Sequence, residues 1–340
     1  MQANAKKILI IRNDKLGDFM LAFPAFAQLK QNLPDTELHV LVPEYTRPLA
    51  DACRYIDQII LDPGKGKHFW NMTRQLREQR YDAVITLYST TRIALAVLFA
   101  GIPERIAPAT KLAQLFYNKR LTQRRSLSRK PEYAYNQDLV NYYLHLHGHK
   151  PAALPPLPYL QFDNKQVRLL KQQFCAEHHI DTQSLLVFIH PGSGGSAANL
   201  SLTQFARLAR LIHAAQPLHI VISCGPGEVL QAEELDRQLG DCPHTLYVSR
   251  EGLRRFAEHI QFADLFISGS TGPLHIAGAL NRPTAAFYTR RPSATALRWQ
   301  TLNSEDRRLA FSPPEEAAEE DMSRVDIKEA ARQISEKFLK

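Results

Sequence analysis

Residues 264–289 read DLFISGSTGPLHIAGALNRPTAAFYT. An apolar run, 264–269, reads as a strand. A Gly/Ser-rich turn follows, then Pro273, which suits the first position of a helix because its missing N–H leaves nothing unsatisfied there. The helix spans 273–280 and a second strand spans 284–289. Strand, turn, helix and strand in this order predict a βαβ unit on a parallel sheet. Working backwards, the same alternation continues: strands at 185–190, 219–224, 245–249 and helices at 203–216, 228–239, 253–260. The first half repeats it, with strands at 7–12, 37–42, 58–62, 82–87 and helical stretches at 19–32, 45–54 and 68–79. Residues 150–158, KPAALPPLP, separate the halves; four prolines in nine positions read as a linker or stiff crossover. A break at 311–323 precedes a final amphipathic helix, 324–339.

The 340 residues predict two α/β domains. At 44% hydrophobic and 22% charged, the chain is an ordinary globular composition, which excludes disorder as the main state. Four cysteines without a CxxC pair argue against a disulfide framework and against a zinc site. The longest apolar stretch, Ile93 to Ile102, is about half of the ~20 residues a membrane span needs. A cytoplasmic, non-spanning protein is expected. The net charge of +8 is uneven: residues 1–150 hold 22 basic and 13 acidic residues, and the remainder 20 and 21. An anionic partner is therefore expected at the first half.

Loops at the carboxyl ends of strands carry the candidate chemistry, because open α/β sheets bind ligands there. Arg12 to Asp18 follows the first strand; Asp18 either caps the next helix or presents a carboxylate. His190 to Ser196, HPGSGGS, offers free amides and hydroxyls able to wrap a phosphate or sugar edge, Gly192 and Ser193 among them, or is a flexible turn. The turn holding Ser270, Thr271, Gly272, Pro273 and His275 lies at the positive end of a helix, an anion site or an ordinary cap. Glu228, just past a strand, suits a ribose diol or a solvated helix start. Neither GxGxxG nor GK[ST] is present, so the dinucleotide fingerprint and the Walker loop are absent. Together these loops suggest a nucleoside diphosphate held by the second half. Residues 111–130 contain seven cations, no acid, and interleaved Leu112, Leu115, Phe116, Tyr117 and Leu121. Such a segment suits an anionic surface. No RNA-binding signature accompanies it, so nucleic acid is not expected.

In combination these residues resemble glycosyltransferase family 9, the lipopolysaccharide heptosyltransferases, over about residues 6–300. Arg12, Leu16, Gly17, Asp18 and Pro24 match the N-terminal pattern. Ala100 to Ile106, His190 to Gly192, Gly225 to Glu228 and TGPLHIAGAL (271–280) match the later ones. The resemblance implies a GT-B fold, two Rossmann-like lobes with a cleft between them: an acceptor lobe, 1–155, a nucleotide-sugar lobe, 156–322, and a terminal helix, 323–340, packed back on the first lobe. It implies inverting, metal-independent transfer of a sugar, normally heptose from ADP-heptose, to a lipopolysaccharide core acceptor, with Asp18 as general base and no cofactor. Gly192, Ser193, Glu228, Ser270, Thr271, Gly272, Pro273 and His275 would hold the donor. Arg92, Lys119, Arg120, Arg124 and Arg125 would meet an anionic lipid-linked acceptor at the inner membrane surface. Two positions depart from the family: Ser270 stands where Asp is common, and residues 196–201 lack the usual cation, for which Arg290 and Arg291 are candidate substitutes. A transferase of another nucleotide sugar, a nucleotide-sugar epimerase or hydrolase, and a non-catalytic anion-binding module are the alternatives.

Overall fold

The structure, a computed structural model, describes residues 6–64, 68–192, 194–195 and 198–339. The chain divides into two compact units, 1–125 with 130–159, and 126–129 with 160–340. Unit 1 contains six strands: β1 Lys7–Ile11, β2 Glu37–Pro43, β3 Gln58–Asp62, β4 Ala83–Thr86, β5 Glu104–Pro108 and β6 Lys119–Leu121. All are parallel, in the order β3-β2-β1-β4-β5-β6. Its helices are α1 Leu16–Met20, α2 Phe23–Asn32, α3 Arg47–Ala50, α4 Phe69–Glu78, α5 Thr91–Phe99 and α6 Glu132–Leu146. Ile8 to Ile11 are wholly buried, as central strands covered on both faces must be. Helices α2 and α6 pack together, while α4, α5 and the turn Leu112–Phe116 cover Leu9, Ile11, Leu41, Ile60 and Val84.

Unit 2 repeats the plan with β7 Leu186–His190, β8 His219–Cys224, β9 His244–Val248, β10 Leu265–Gly269, β11 Thr284–Phe287 and β12 Arg308–Phe311. Its parallel order, β9-β8-β7-β10-β11-β12, is the same permutation. Helices α7 Asn164–Glu177, α8 Leu202–Ala215, α9 Val229–Leu239, α10 Leu253–Phe262, α11 Gly272–Ala279 and α12 Ile327–Phe338 complete it. In each sheet the chain starts in the middle and reverses direction between the first and fourth strands. That reversal, β1/β4 in unit 1 and β7/β10 in unit 2, opens a crevice beyond the strand ends. The loops singled out at 12–18, 190–196 and 270–273 follow these central strands.

Several elements depart from expectation. Helices α5, α6 and α7 and strands β5, β6 and β12 are additions; α6 buries Glu132, Tyr135, Asn136, Leu139, Val140, Tyr143 and Leu144, a helical stripe too polar to read as apolar. The terminal helix α12, expected on the first lobe, is part of unit 2. Ile327, Ala330, Ala331 and Ile334 pack with α8 in the core of unit 2. The reason is local: Met322 and Val325 already join that core, so the helix enters beside α8. Among the described residues no helix is long and apolar enough to cross a membrane, and none of the titratable or cysteine groupings could hold a metal ion.

Truncating Ile334, which is wholly buried, leaves a cavity between α12 and α8. Ile334→Ala is expected to cost about 2–5 kcal/mol, read as a lowered urea midpoint at unchanged slope. A loss below the lower figure would show that α12 contributes little to this core.

Candidate functional site

In unit 1 the loop after β1 is organised by Arg12, a guanidinium only 1% exposed. A buried charge must be paired or it destabilises the fold. Arg12 donates through Nε to Asp14 (2.8 Å) and through one terminal nitrogen to Glu132 (3.1 Å) and Asn136 (3.0 Å) of α6. The other terminal nitrogen donates to Asp18. Asn136 in turn donates to the carbonyl of Leu21 (3.0 Å), closing the ring on the chain after α1. Helix α1 carries no side-chain cap. The Asp18 carboxylate is thus held by Arg12, and the capping alternative does not describe it.

The acids of the cluster are buried, and that sets its titration. Burial raises the pKa of Asp18; Arg12 opposes the shift and the charge of Glu132 adds to it. Burial likewise pushes Asp14 up to about 7, against Arg12 and with help from Asp18. A second network lies on the same rim. Asp62, at the end of β3, accepts from Asn13 and from Arg92 of α5, and its other oxygen accepts from the amide of Gly64 (3.0 Å). Despite the penalty of burial, the bonds from Arg92 and Asn13 hold the Asp62 carboxyl below its ordinary range. Arg92 is therefore anchored to protein. Arg125 is as well, donating to Glu132 (2.6 Å) and Gln123 (2.9 Å). Lys119, Arg120 and Arg124 are exposed.

In unit 2 the loop ends converge on two close approaches at glycine. A Cβ at Gly192 would lie 2.2 Å from the Glu228 carboxylate. Glu228 accepts from the amides of Gly194 (3.1 Å) and Gly225 (3.2 Å) and lies 3.4 Å from His190 Nε2. It is built into the loop, not a solvated helix start. Burial lowers the pKa of His190, which Glu228 only partly offsets. At Gly269 a Cβ would lie 2.5 Å from Asn199 Oδ1. Asn199 Nδ2 donates to the carbonyl of Pro191 (3.0 Å), so this one side chain ties the loop after β7 to the end of β10.

The third loop is equally ordered. Ser268 donates to the carbonyl of His190 (2.9 Å) and shares a bond with Thr271 (3.1 Å). Thr271 caps α11 by accepting from the amide of Leu274 (3.4 Å). Pro273 supplies no N–H, so the amides before Leu274 are those of Thr271 and Gly272. His275 is 2% exposed, and its Nδ1 is buried without a hydrogen-bond partner. Burial pushes its pKa down to about 4, so the ring is neutral near pH 7. Ser193 lies outside the described residues. Arg290 and Arg291 do not replace a missing cation: Arg290 donates to the carbonyls of Glu315 (2.8 Å) and Ala317 (2.5 Å), and Arg291 pairs with Glu320 (3.2 Å). Glu132, Asp62 and Asn199 were missed in the sequence reading. Only Asp62 carried a signal, as an acid ending a parallel strand.

The sequence pattern of glycosyltransferase family 9 (heptosyltransferase) matches residues 69–325. The chain belongs to glycosyltransferase family 9. It is therefore a glycosyltransferase. A Haemophilus influenzae relative, whose name says glycosyltransferase and no more, is 43% identical over 91% of this chain and 90% of its own. The fold agrees with solved members. A family 9 glycosyltransferase from Veillonella parvula superposes with a TM-score of 0.81 at 16% identity, covering 100% of this chain and 99% of that one. The Escherichia coli ADP-heptose lipopolysaccharide heptosyltransferase II gives 0.77 at 18% identity, covering 98% of each. The two-lobed GT-B architecture is thereby shown.

The contact between Gly269 and Asn199 is open to a double-mutant cycle. Gly269→Ala should cost about 1–3 kcal/mol by overpacking. Adding Asn199→Ala removes the clashing oxygen, so the pair should be less destabilised than the sum by at least about 0.5 kcal/mol. Strict additivity in denaturant titrations would remove this contact from the account of the site.

Proposed function

We propose that this family 9 enzyme transfers a heptose from ADP-heptose to a lipopolysaccharide or lipooligosaccharide core acceptor, with inversion, without a metal ion, and with Asp18 as general base. One observation carries the reading. Asp18 is a carboxylate at the switch point of unit 1, kept in place by a buried arginine and raised in pKa by burial. A carboxyl raised in pKa is a stronger base than an ordinary one, which suits proton abstraction from a hydroxyl.

In the proposed step the acceptor hydroxyl gives its proton to Asp18 as its oxygen attacks the anomeric carbon. The bond from that carbon to the β-phosphate oxygen breaks, and ADP leaves with the electron pair. Attack opposite the leaving group inverts the centre. The leaving diphosphate is stabilised by the amides of Thr271 and Gly272 at the positive end of α11, with Ser270 and neutral His275 beside them. Gly192 leaves room for the Glu228 carboxylate beside the loop after β7, and its loop is assigned to the donor. Glu228 faces the ribose; two backbone amides leave it lone pairs for a diol. Lys119, Arg120 and Arg124, exposed and basic, are assigned to the anionic lipid-linked acceptor, and an enzyme peripheral to the cytoplasmic face of the inner membrane is part of the same proposal. Arg92 and Arg125 join this set only if they leave Asp62 and Glu132.

Ser270 and the lack of a cation at 196–201 favour a second reading, in which the same chemistry uses another nucleotide sugar. Thermal-shift titrations with ADP-, UDP-, GDP- and CDP-sugars separate the two, because a ligand of the native state alone raises its stability by mass action. ADP-heptose should give the largest shift; a larger shift with another nucleotide sugar would replace it. Asp18→Asn should retain that shift and lose about 10²–10⁴-fold in kcat; near-normal transfer would remove Asp18 from the role. The pH profile supplies the third check. The base works ionised, so the acid limb of kcat/KM should lie above the ordinary carboxylate range of about 4. Glu132→Gln removes a neighbouring negative charge and should move that limb downwards in pH. An unmoved limb would separate Glu132 from the base.

A further inference from the structure

Helices α4, α5 and the turn Leu112–Phe116 lie side by side on one face of the unit 1 sheet. A surface helix normally turns polar residues to water. Beyond Arg92, α5 reads IALAVLF and has none; Phe99 is exposed and Leu95 and Leu98 are half-buried. Trp70 of α4 is 64% exposed, with its ring 5.6 Å from that of Phe99. On the other side of α5, Leu112 and Leu115 are 76% and 67% exposed. Tyr117, by contrast, turns inward and is buried, so the apolar exposure of residues 112–117 is concentrated in the two leucines.

Cations border this apolar ridge. Arg77 donates to the carbonyl of Phe99 (2.5 Å), Arg74 is exposed one turn after Trp70, and Lys111 precedes Leu112. Residues 63–125 contain twelve Lys or Arg and three Asp or Glu, an excess larger than the net charge of the whole chain. Apposing two copies through this face would bring like charges together, which opposes self-association. An anionic bilayer fits instead: tryptophan favours the membrane interface, leucine gains by leaving water, and Lys and Arg are drawn to acidic headgroups.

We propose that this face docks on an anionic lipid bilayer, with Trp70, Phe99, Leu112 and Leu115 entering the interfacial layer and the bordering cations meeting the headgroups. This deepens the reading of a lipid-linked acceptor, but its test does not involve transfer. Cosedimentation with phosphatidylglycerol/phosphatidylethanolamine vesicles should carry the protein down, and phosphatidylcholine vesicles should not. Trp70→Ser/Leu112→Ser/Leu115→Ser, all at exposed positions, should weaken partitioning by about tenfold or more at unchanged Tm. Arg74→Glu/Lys111→Glu should weaken it by about fivefold or more per charge. Brominated anionic lipids should quench tryptophan fluorescence, and Trp70→Phe should abolish the quenching. Absence of binding to anionic vesicles, equal binding by the triple variant, or a dimer broken by the triple variant in a protein that ignores vesicles would overturn the proposal. Vesicle binding without any nucleotide-sugar shift would instead overturn the donor reading and leave this one standing.

Discussion

The burial of Arg12 is the constraint from which the unit 1 site follows. A guanidinium without water must be neutralised on several sides, and three carboxylates and an amide from two distant stretches of chain do so. Once Glu132 and Asn136 hold one terminal nitrogen, the other is directed at Asp18. The site is therefore preorganised by α6, a helix more than a hundred residues away in sequence. The arrangement has a thermodynamic cost. Asp14 and Asp18 have folded-state pKa values above their ordinary ones. Their contribution to stability is fully present below the unfolded value of about 4. It is lost as pH rises through the folded values, about 7 for Asp14. At neutral pH this cluster opposes folding in part, as groups arranged for chemistry commonly do.

Unit 2 solves a different problem. Its loops must come close enough for backbone amides to meet a ligand, and side chains at the closest points would prevent it. Gly192 and Gly269 leave room where Glu228 and Asn199 cross between loops. Those crossings join the ends of β7, β8 and β10, the strands flanking the switch point. Such ties matter because hydrogen-bond donors aimed in advance need no reorganisation when charge develops on a ligand.

The parallel-sheet architecture was legible because most central strands are short apolar runs followed by a turn and a helix, with glycine at or just after the ends of β7, β8 and β10. Those runs, such as KILII and LVFIH, are buried on both faces, so their signal is composition and not alternation. The edge strands β6 and β12 were not legible, since KRL and RLAF are short and partly exposed. Helix α6 was missed because its buried stripe includes Glu132, Tyr135 and Asn136. That omission explains why Asp18 could be chosen but its surroundings could not. Asn199 was likewise not legible, because a contact across two loops leaves no mark in local sequence. The terminal helix was placed by analogy, and the core contacts of Met322 and Val325 place it elsewhere.

The uneven charge now has a physical division. The unit 2 loops hold amide dipoles and a neutral His275, while Arg290 and Arg291 are engaged by carbonyls and by Glu320. Dipoles act over a few ångströms and discriminate by geometry, which suits a small anion that must bind in one orientation and leave. The cations of 63–125 act over a Debye length of about 8 Å at physiological salt. They discriminate little by geometry and suit an extended anionic surface. Under the proposed donor reading, a lysine or arginine in the 196–201 stretch would strengthen anion binding but would also hold the diphosphate product. Its absence from this chain is consistent with a donor site that relies on the backbone.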